Sequence, residues 1–136
     1  MQANFKNKHL IGLIILCDQL IPQRMLIGDK LKLKENREKF FAKYNTIEEL
    51  RMGIIIDNGG SKEEGLPVDH ENHDKAVSEI NELLELPVSK FSFSPIKREV
   101  LERFEAENID FDSVLILAGE YAPEVKEVEM KAEITE

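Results

Sequence analysis

The densest run of side chains able to ligate or transfer protons is Asp69-His70-Glu71-Asn72-His73-Asp74. His70 and His73 stand three apart, which puts both imidazoles on one helix face, and Asp69 and Asp74 are close enough in sequence to complete a divalent-metal set. A zinc site needs a further ligand, and His9 is the only other histidine in the chain. The plainer reading is a helix N-terminus whose acidic residues favour the positive end of the dipole. The expectation is therefore no metal and no cofactor. Asp57-Asn58-Gly59-Gly60 with Lys62 lacks both the Gly-Lys-Ser/Thr of a phosphate loop and the G-x-G-x-x-G spacing of a dinucleotide site, so it reads as a turn. Cys17 lies in the most apolar stretch, where a thiol is protonated and inert. No nucleophile, base and orienting group can be assembled from these residues, and the expected protein is not an enzyme.

Charge points instead to contact surfaces. Residues 1–56 hold ten Lys or Arg against six Asp or Glu, whereas residues 57–136 hold eight against twenty-one, giving +4 and −13 within a net charge of −9. Such halves can be matched within one molecule or between molecules in a head-to-tail assembly. The acidic balance argues against general binding of nucleic acid, which requires neutralising phosphates with Lys and Arg. Two candidate surfaces remain. Lys32, Lys39 and Lys43 can share one face of a helix within the basic stretch 30–43, with Glu35 and Lys39 as partners at helical spacing. Glu79, Glu82, Glu85, Glu99 and Glu102 could imitate a phosphate lattice toward a basic partner.

The elements that must carry these surfaces follow from periodicity. Leu10 to Leu20 is apolar almost all round and reads as a buried helix, with Asn7 as its cap and Pro22 as its stop, while Ile11, Gly12, Ile14 and Ile15 keep a buried strand as the alternative. From about Met25 to Ile56 a second, longer helix is expected, because Leu26, Leu33, Phe40, Ile47 and Ile54 recur every seven residues. A break is expected at Tyr44-Asn45-Thr46, where Asn45 or Thr46 could cap a new helix. The Gly- and Asp-rich segment 57–67 reverses the chain, and the short apolar runs Ile54 to Ile56 and Leu66 to Val68 on either side suggest a small β-hairpin at the tip. A helix capped by Asp69 then runs to the residue before Pro87, with Ala76, Ile80, Leu83 and Leu84 on one face.

Beyond Pro87, the alternation Phe91-Ser92-Phe93-Ser94 reads as a strand ended by Pro95, and Ile96 to Glu105 as a helix. Asp112 or Ser113 caps the element Val114 to Ala118. Val128, Met130, Ala132 and Ile134 alternate with charged residues, as in an edge strand or an acidic tail. No apolar run reaches the length of a membrane span.

The order of parts resembles small proteins of unknown function encoded by tailed bacteriophages. The resemblance is carried by Asn7 and Leu10, Leu31 to Phe40 with Asn36, Arg51, Ile54 to Gly60, Ile80-Asn81-Glu82-Leu83-Leu84-Glu85-Leu86-Pro87-Val88, Pro95-Ile96 and Val114 to Leu117. The Asn58-Gly59-Gly60 turn and the extension from Glu120 depart from that pattern. The resemblance implies a phage-encoded, non-enzymatic protein that is a minor virion or assembly component or an early factor acting on a host protein.

The full expectation is an α+β, mainly α fold: a helical hairpin of about 25–56 and 69–86, the N-terminal helix packed on it, and short strands at the hairpin tip and in the C-terminal half. Residues 1–118 form the single domain and 119–136 an acidic extension. Expected partners are a second copy or a larger phage structural protein, in the host cytoplasm or the virion. An acidic inhibitor of a host nucleic-acid-binding or defence protein is the alternative.

Overall fold

Six side chains on one short segment decide where the core lies: Leu10, Leu13, Ile14, Leu16, Cys17 and Leu20 are all buried. A computed structural model describes residues 4–122 and shows five helices among them. After a 3-10 turn at Asn7–His9 come α1 (Leu10–Leu20), α2 (Ile27–Asp57), α3 (His73–Glu85), α4 (Arg98–Leu101) and α5 (Phe111–Leu117). Helix α1 packs along α2 and against α5, and α3 folds back on α2 as the second arm of a helical hairpin. Ile11 and Ile15, on the outer side of α1, remain nearly half exposed.

The heptad seam of α2 is visible in its burial. Leu33, Phe40 and Ile47 are buried, but one heptad later Ile55 rather than Ile54 is the buried residue. A straight helix drifts about 20° per heptad against a seven-residue repeat, so the buried position moves on by one residue. Leu26 lies before the helix and is exposed. The expected break at residues 44–46 does not occur. Thr46 turns its hydroxyl back onto the carbonyl of Ala42, 3.3 Å away, instead of capping a new helix, and burial of Ile47 continues the seam across the site.

The fold is helical with extended connections, not α+β: no sheet forms among the described residues, which contain two isolated antiparallel bridges, Lys6 with Pro87 and Ser61 with Gly65. The expected hairpin at the tip fails because Ile54 to Ile56 remain inside α2, leaving Leu66 to Val68 no strand to pair with. Asn58 closes α2 by donating its side-chain amide to the Ile54 carbonyl at 2.8 Å. Gly59 follows at φ +101°, and a Cβ on Gly60 would lie 2.6 Å from the Gly65 carbonyl oxygen, so the turn requires glycine at both positions. Helix α3 starts at His73 rather than at Asp69, because residues 67–73 are spent on consecutive turns in which Pro67 and His70 carbonyls accept from His70 and His73.

The expected strand at Phe91 to Ser94 is an extended strap whose backbone is satisfied by other means. The Val88 N–H donates to Phe5 and the Ile96 N–H to Leu117. Between them buried Asn36 of α2 grips Ser94 on both sides, its amide donating to the Ser94 carbonyl at 2.7 Å and its oxygen accepting the Ser94 N–H at 3.0 Å. Gln19 holds both peptide groups of Glu107 in the same way, and Gln23 both of Glu105. The Gln23 grip takes the Glu105 N–H from the last turn of the helix expected over Ile96 to Glu105, and α4 is only Arg98–Leu101. Asp110, not Asp112 or Ser113, caps α5 by accepting the Ser113 N–H at 2.8 Å. Phe5, Phe40, Phe91 and Phe93 pack beneath the strap, with Phe40 and Phe91 stacked at 5.6 Å. The packed chain continues past Ala118, since Tyr121 lies with its ring edge-on to His9 at 5.3 Å. The alternation at 128–134 lies outside the described residues.

Two glycines inside helices should respond oppositely. A Cβ on Gly53 meets nothing, so Gly53→Ala is expected to stabilise by about 0.5–1 kcal/mol. A Cβ on Gly12 would sit 2.7 Å from the Ser113 hydroxyl where α1 meets α5, so Gly12→Val is expected to destabilise by about 1–3 kcal/mol. Chemical denaturation of both variants checks the pair. Asn36→Ala, which leaves the Ser94 peptide without partners, should lose about 1–3 kcal/mol in the same measurement.

Candidate functional site

Where the strap crosses α2, two kinds of local structure bring lysines together. Lys39 and Lys43 lie one turn apart on α2, and Lys90 comes from the start of the strap, where it adopts the left-handed φ of +50°. They line an open groove of about 420 Å³ together with Ala42, Thr46, Phe91 and Ser92. Phe91 is half-buried, and its stack on Phe40 fixes the ring in the groove wall. Among the described residues none of these lysines has a carboxylate within 4.0 Å. The two arginines of α2 differ: Arg37 is bound to Asp18 at 2.8 Å and Arg51 to Glu48 at 2.9 Å. The groove can hold an anionic group by charge, with hydroxyls of Thr46 and Ser92 at its edge and an aromatic ring as an apolar contact.

Of Lys32, Lys39 and Lys43, expected to share one helix face, Lys39 and Lys43 line the groove. Lys32 is exposed on the same helix but does not line the groove, from which it is separated by about 10 Å of helix rise. Lys90 and Phe91 were not legible as site residues, because period-two alternation reports burial and says nothing of which helix the strap crosses. The sequence signal that pointed there was Asn36, a polar residue on the apolar seam of α2.

The five carboxylates differ in their partners. Glu85 accepts from Lys6 and Lys8, both at 2.7 Å, and these pairs join the basic half of the chain to the acidic half. Glu79 is 3.4 Å from the Asn58 amide in the turn, Glu82 is exposed on α3, and Glu102 pairs with Arg98 at 3.2 Å. Glu99 and Glu102 share a shallow depression with Lys97, Arg98 and Glu120, a mixed and not a purely acidic surface.

The histidine cluster is part of the turn. His70 accepts the Asn72 N–H at 3.0 Å through Nδ1 and packs against Gly59, while His73 faces Asp74 at 3.5 Å. No group of three or more His, Cys, Asp or Glu side chains suited to a metal gathers among the described residues. Cys17 is buried, and desolvation pushes its thiol up to about 12. No helix among the described residues is long and apolar enough to cross a membrane.

Compared with known proteins, the chain matches no family model, no curated protein and no solved structure. The site is therefore read from its own geometry.

Two groups near the N-terminus set an acid dependence. Hydrogen bonds from Lys6 and then Lys8 hold the Glu85 carboxyl down at about 2, so the stability it contributes is present above its ordinary value of 4.5 and disappears as pH falls toward about 2. Burial lowers the pKa of His9, which outweighs the opposing pull of Asp112; His9 is neutral in the fold, and stability declines as pH falls through its ordinary value of 6.5. Thermal melts across this range should show two losses of stability, with Glu85→Gln reducing the more acidic one, to which the Asp110 cap of α5 also contributes, and leaving the other.

Proposed function

We propose that the chain is a non-enzymatic protein-interaction module that receives an acidic surface in the Lys39, Lys43 and Lys90 groove. The observation that carries this reading is the convergence of three ammonium groups from two separate elements on one groove, none with a carboxylate within 4.0 Å among the described residues. Desolvation of the only thiol and the structural use of His70 in the turn support the absence of nucleophilic chemistry. The resemblance to small tailed-phage proteins supplies the setting: a minor virion or assembly component, with a second copy or a larger phage structural protein as partner, in the host cytoplasm or the particle. The strongly acidic second half then helps to orient the molecule as it approaches, and the groove fixes the contact.

The acidic-inhibitor reading requires a continuous array of free carboxylates. The double bridge of Glu85 to Lys6 and Lys8 and the pairing of Glu102 with Arg98 give it less support.

Affinity purification of the tagged full-length chain from its native source, followed by mass spectrometry, tests the two against each other. The groove reading predicts stoichiometric recovery of a partner or a second copy that Lys39→Glu/Lys43→Glu/Lys90→Glu abolishes without changing the helical circular dichroism. Recovery that survives those reversals but is lost on Glu79→Gln/Glu82→Gln/Glu99→Gln would overturn it in favour of the acidic inhibitor.

A further inference from the structure

We propose that the solvent face of α2 is a second contact surface, on which another copy of this chain lies antiparallel about a two-fold axis at Phe41. This is a different face of the helix from the lysine groove, and it leaves the groove to another partner.

Helix α2 carries two apolar seams. One, through Leu33, Phe40 and Ile47, is buried in the core. The other faces solvent: Ile27, Leu31, Phe41 and Ile56 are 83%, 56%, 41% and 51% exposed. Large apolar side chains aligned on an exposed helix face mark a contact surface. Ile27 and Ile56 stand about eight turns apart, so the stripe runs straight along the helix for about 44 Å. Phe41 lies at its middle, with the Arg37 guanidinium 5.0 Å from the ring centroid.

The order of residues along the stripe selects the occupant. A two-fold interface sets one surface against itself, so whatever residue i needs from residue j, j must find in i. With the axis between residues 41 and 42, Ile27 meets Ile56, Leu31 meets Met52, Lys34 meets Glu49, Glu38 meets Asn45, and the two Phe41 rings meet at the axis. Apolar residues thus face apolar residues at both ends and in the centre, and the lysine faces a carboxylate. Lys34 and Glu49 are both exposed, and neither has an ion-pair partner within 4.0 Å among the described residues. A parallel copy would instead set Lys34 against Lys34 and Glu49 against Glu49, which is repulsive. Met52, Gly53 and Ile56 border an open groove of about 550 Å³, and a Cβ on Gly53 would meet nothing there. Leu31 and Ile27 of the second copy fill that space. A footprint about 44 Å long and one helix, about 10 Å, wide lies at the small end of specific interfaces, so the dimer is reversible.

The test is sedimentation of the full-length chain. At about 100 μM it should show twice the monomer mass and dissociate on dilution. Phe41→Glu should make the chain monomeric with its helical circular dichroism unchanged. Lys34→Glu places two like-charge pairs in each dimer and should raise the dissociation constant about tenfold, and adding Glu49→Lys should restore it. With oxidised glutathione, Phe41→Cys should cross-link to itself, whereas Ile27→Cys should cross-link only when mixed with Ile56→Cys. Lys39→Glu/Lys43→Glu/Lys90→Glu should leave the dimer intact. A chain that stays monomeric at about 100 μM, a dimer that survives Phe41→Glu, or a charge exchange that fails to restore association would each overturn the proposal. So would self-cross-linking of Ile27→Cys, which makes the copies parallel, and loss of the dimer on the three lysine reversals, which moves the second copy to the groove.

Discussion

One buried carboxamide holds the fold's least regular part in place. Asn36 sits on the apolar seam of α2 and satisfies both peptide groups of Ser94, so the extended strap is fastened to the helix at that point. A buried peptide left without partners would be costly. Gln19 and Gln23 repeat the solution at Glu107 and Glu105. Three side-chain amides thus do in this protein what a sheet does in others. The groove depends on the first of them, because the strap that Asn36 anchors is the segment that carries Lys90 and Phe91 to α2.

The aromatic cluster and the amide grip hold the same segment against α2. Phe5, Phe40, Phe91 and Phe93 give the strap an apolar underside, and such ring pairs add about 0.5–1.5 kcal/mol each beyond the area they bury. Fixing Phe91 from below leaves the groove preorganised above it. A positive groove on a chain of net charge −9 is a local field, effective within about 8–10 Å at ordinary ionic strength.

Helix periodicity was the legible part of the sequence. The all-apolar run of α1, the seam through Leu33, Phe40 and Ile47 and the amphipathic α3 follow directly from side-chain spacing. The strands were misread for a physical reason: alternation at Phe91 to Ser94 reports that one side of an extended chain is buried, and a helix face with a carboxamide buries it as well as a sheet does. The tip hairpin was misread because Ile54 to Ile56 suit a helix as readily as a strand, and the seam carried α2 through them. Caps fell short by one to a few residues wherever a side chain found another use, as Thr46 did on Ala42 and His70 did on Asn72. Lys39 and Lys43 could be placed on a common face from their spacing alone, but Lys90 joins them only through tertiary contacts between positions far apart in the chain.

Native-state hydrogen exchange at the Ser94 amide tests most directly the claim that Asn36 anchors the strap and so builds the groove. The account predicts that this N–H exchanges as slowly as those of buried α1, and that Asn36→Ala speeds exchange at Ser94 far more than in α1 when both are measured in the same sample. Exchange at Ser94 in the unmodified protein as fast as at exposed turn residues such as Glu63 would contradict it, because the strap would then be held by something other than this amide.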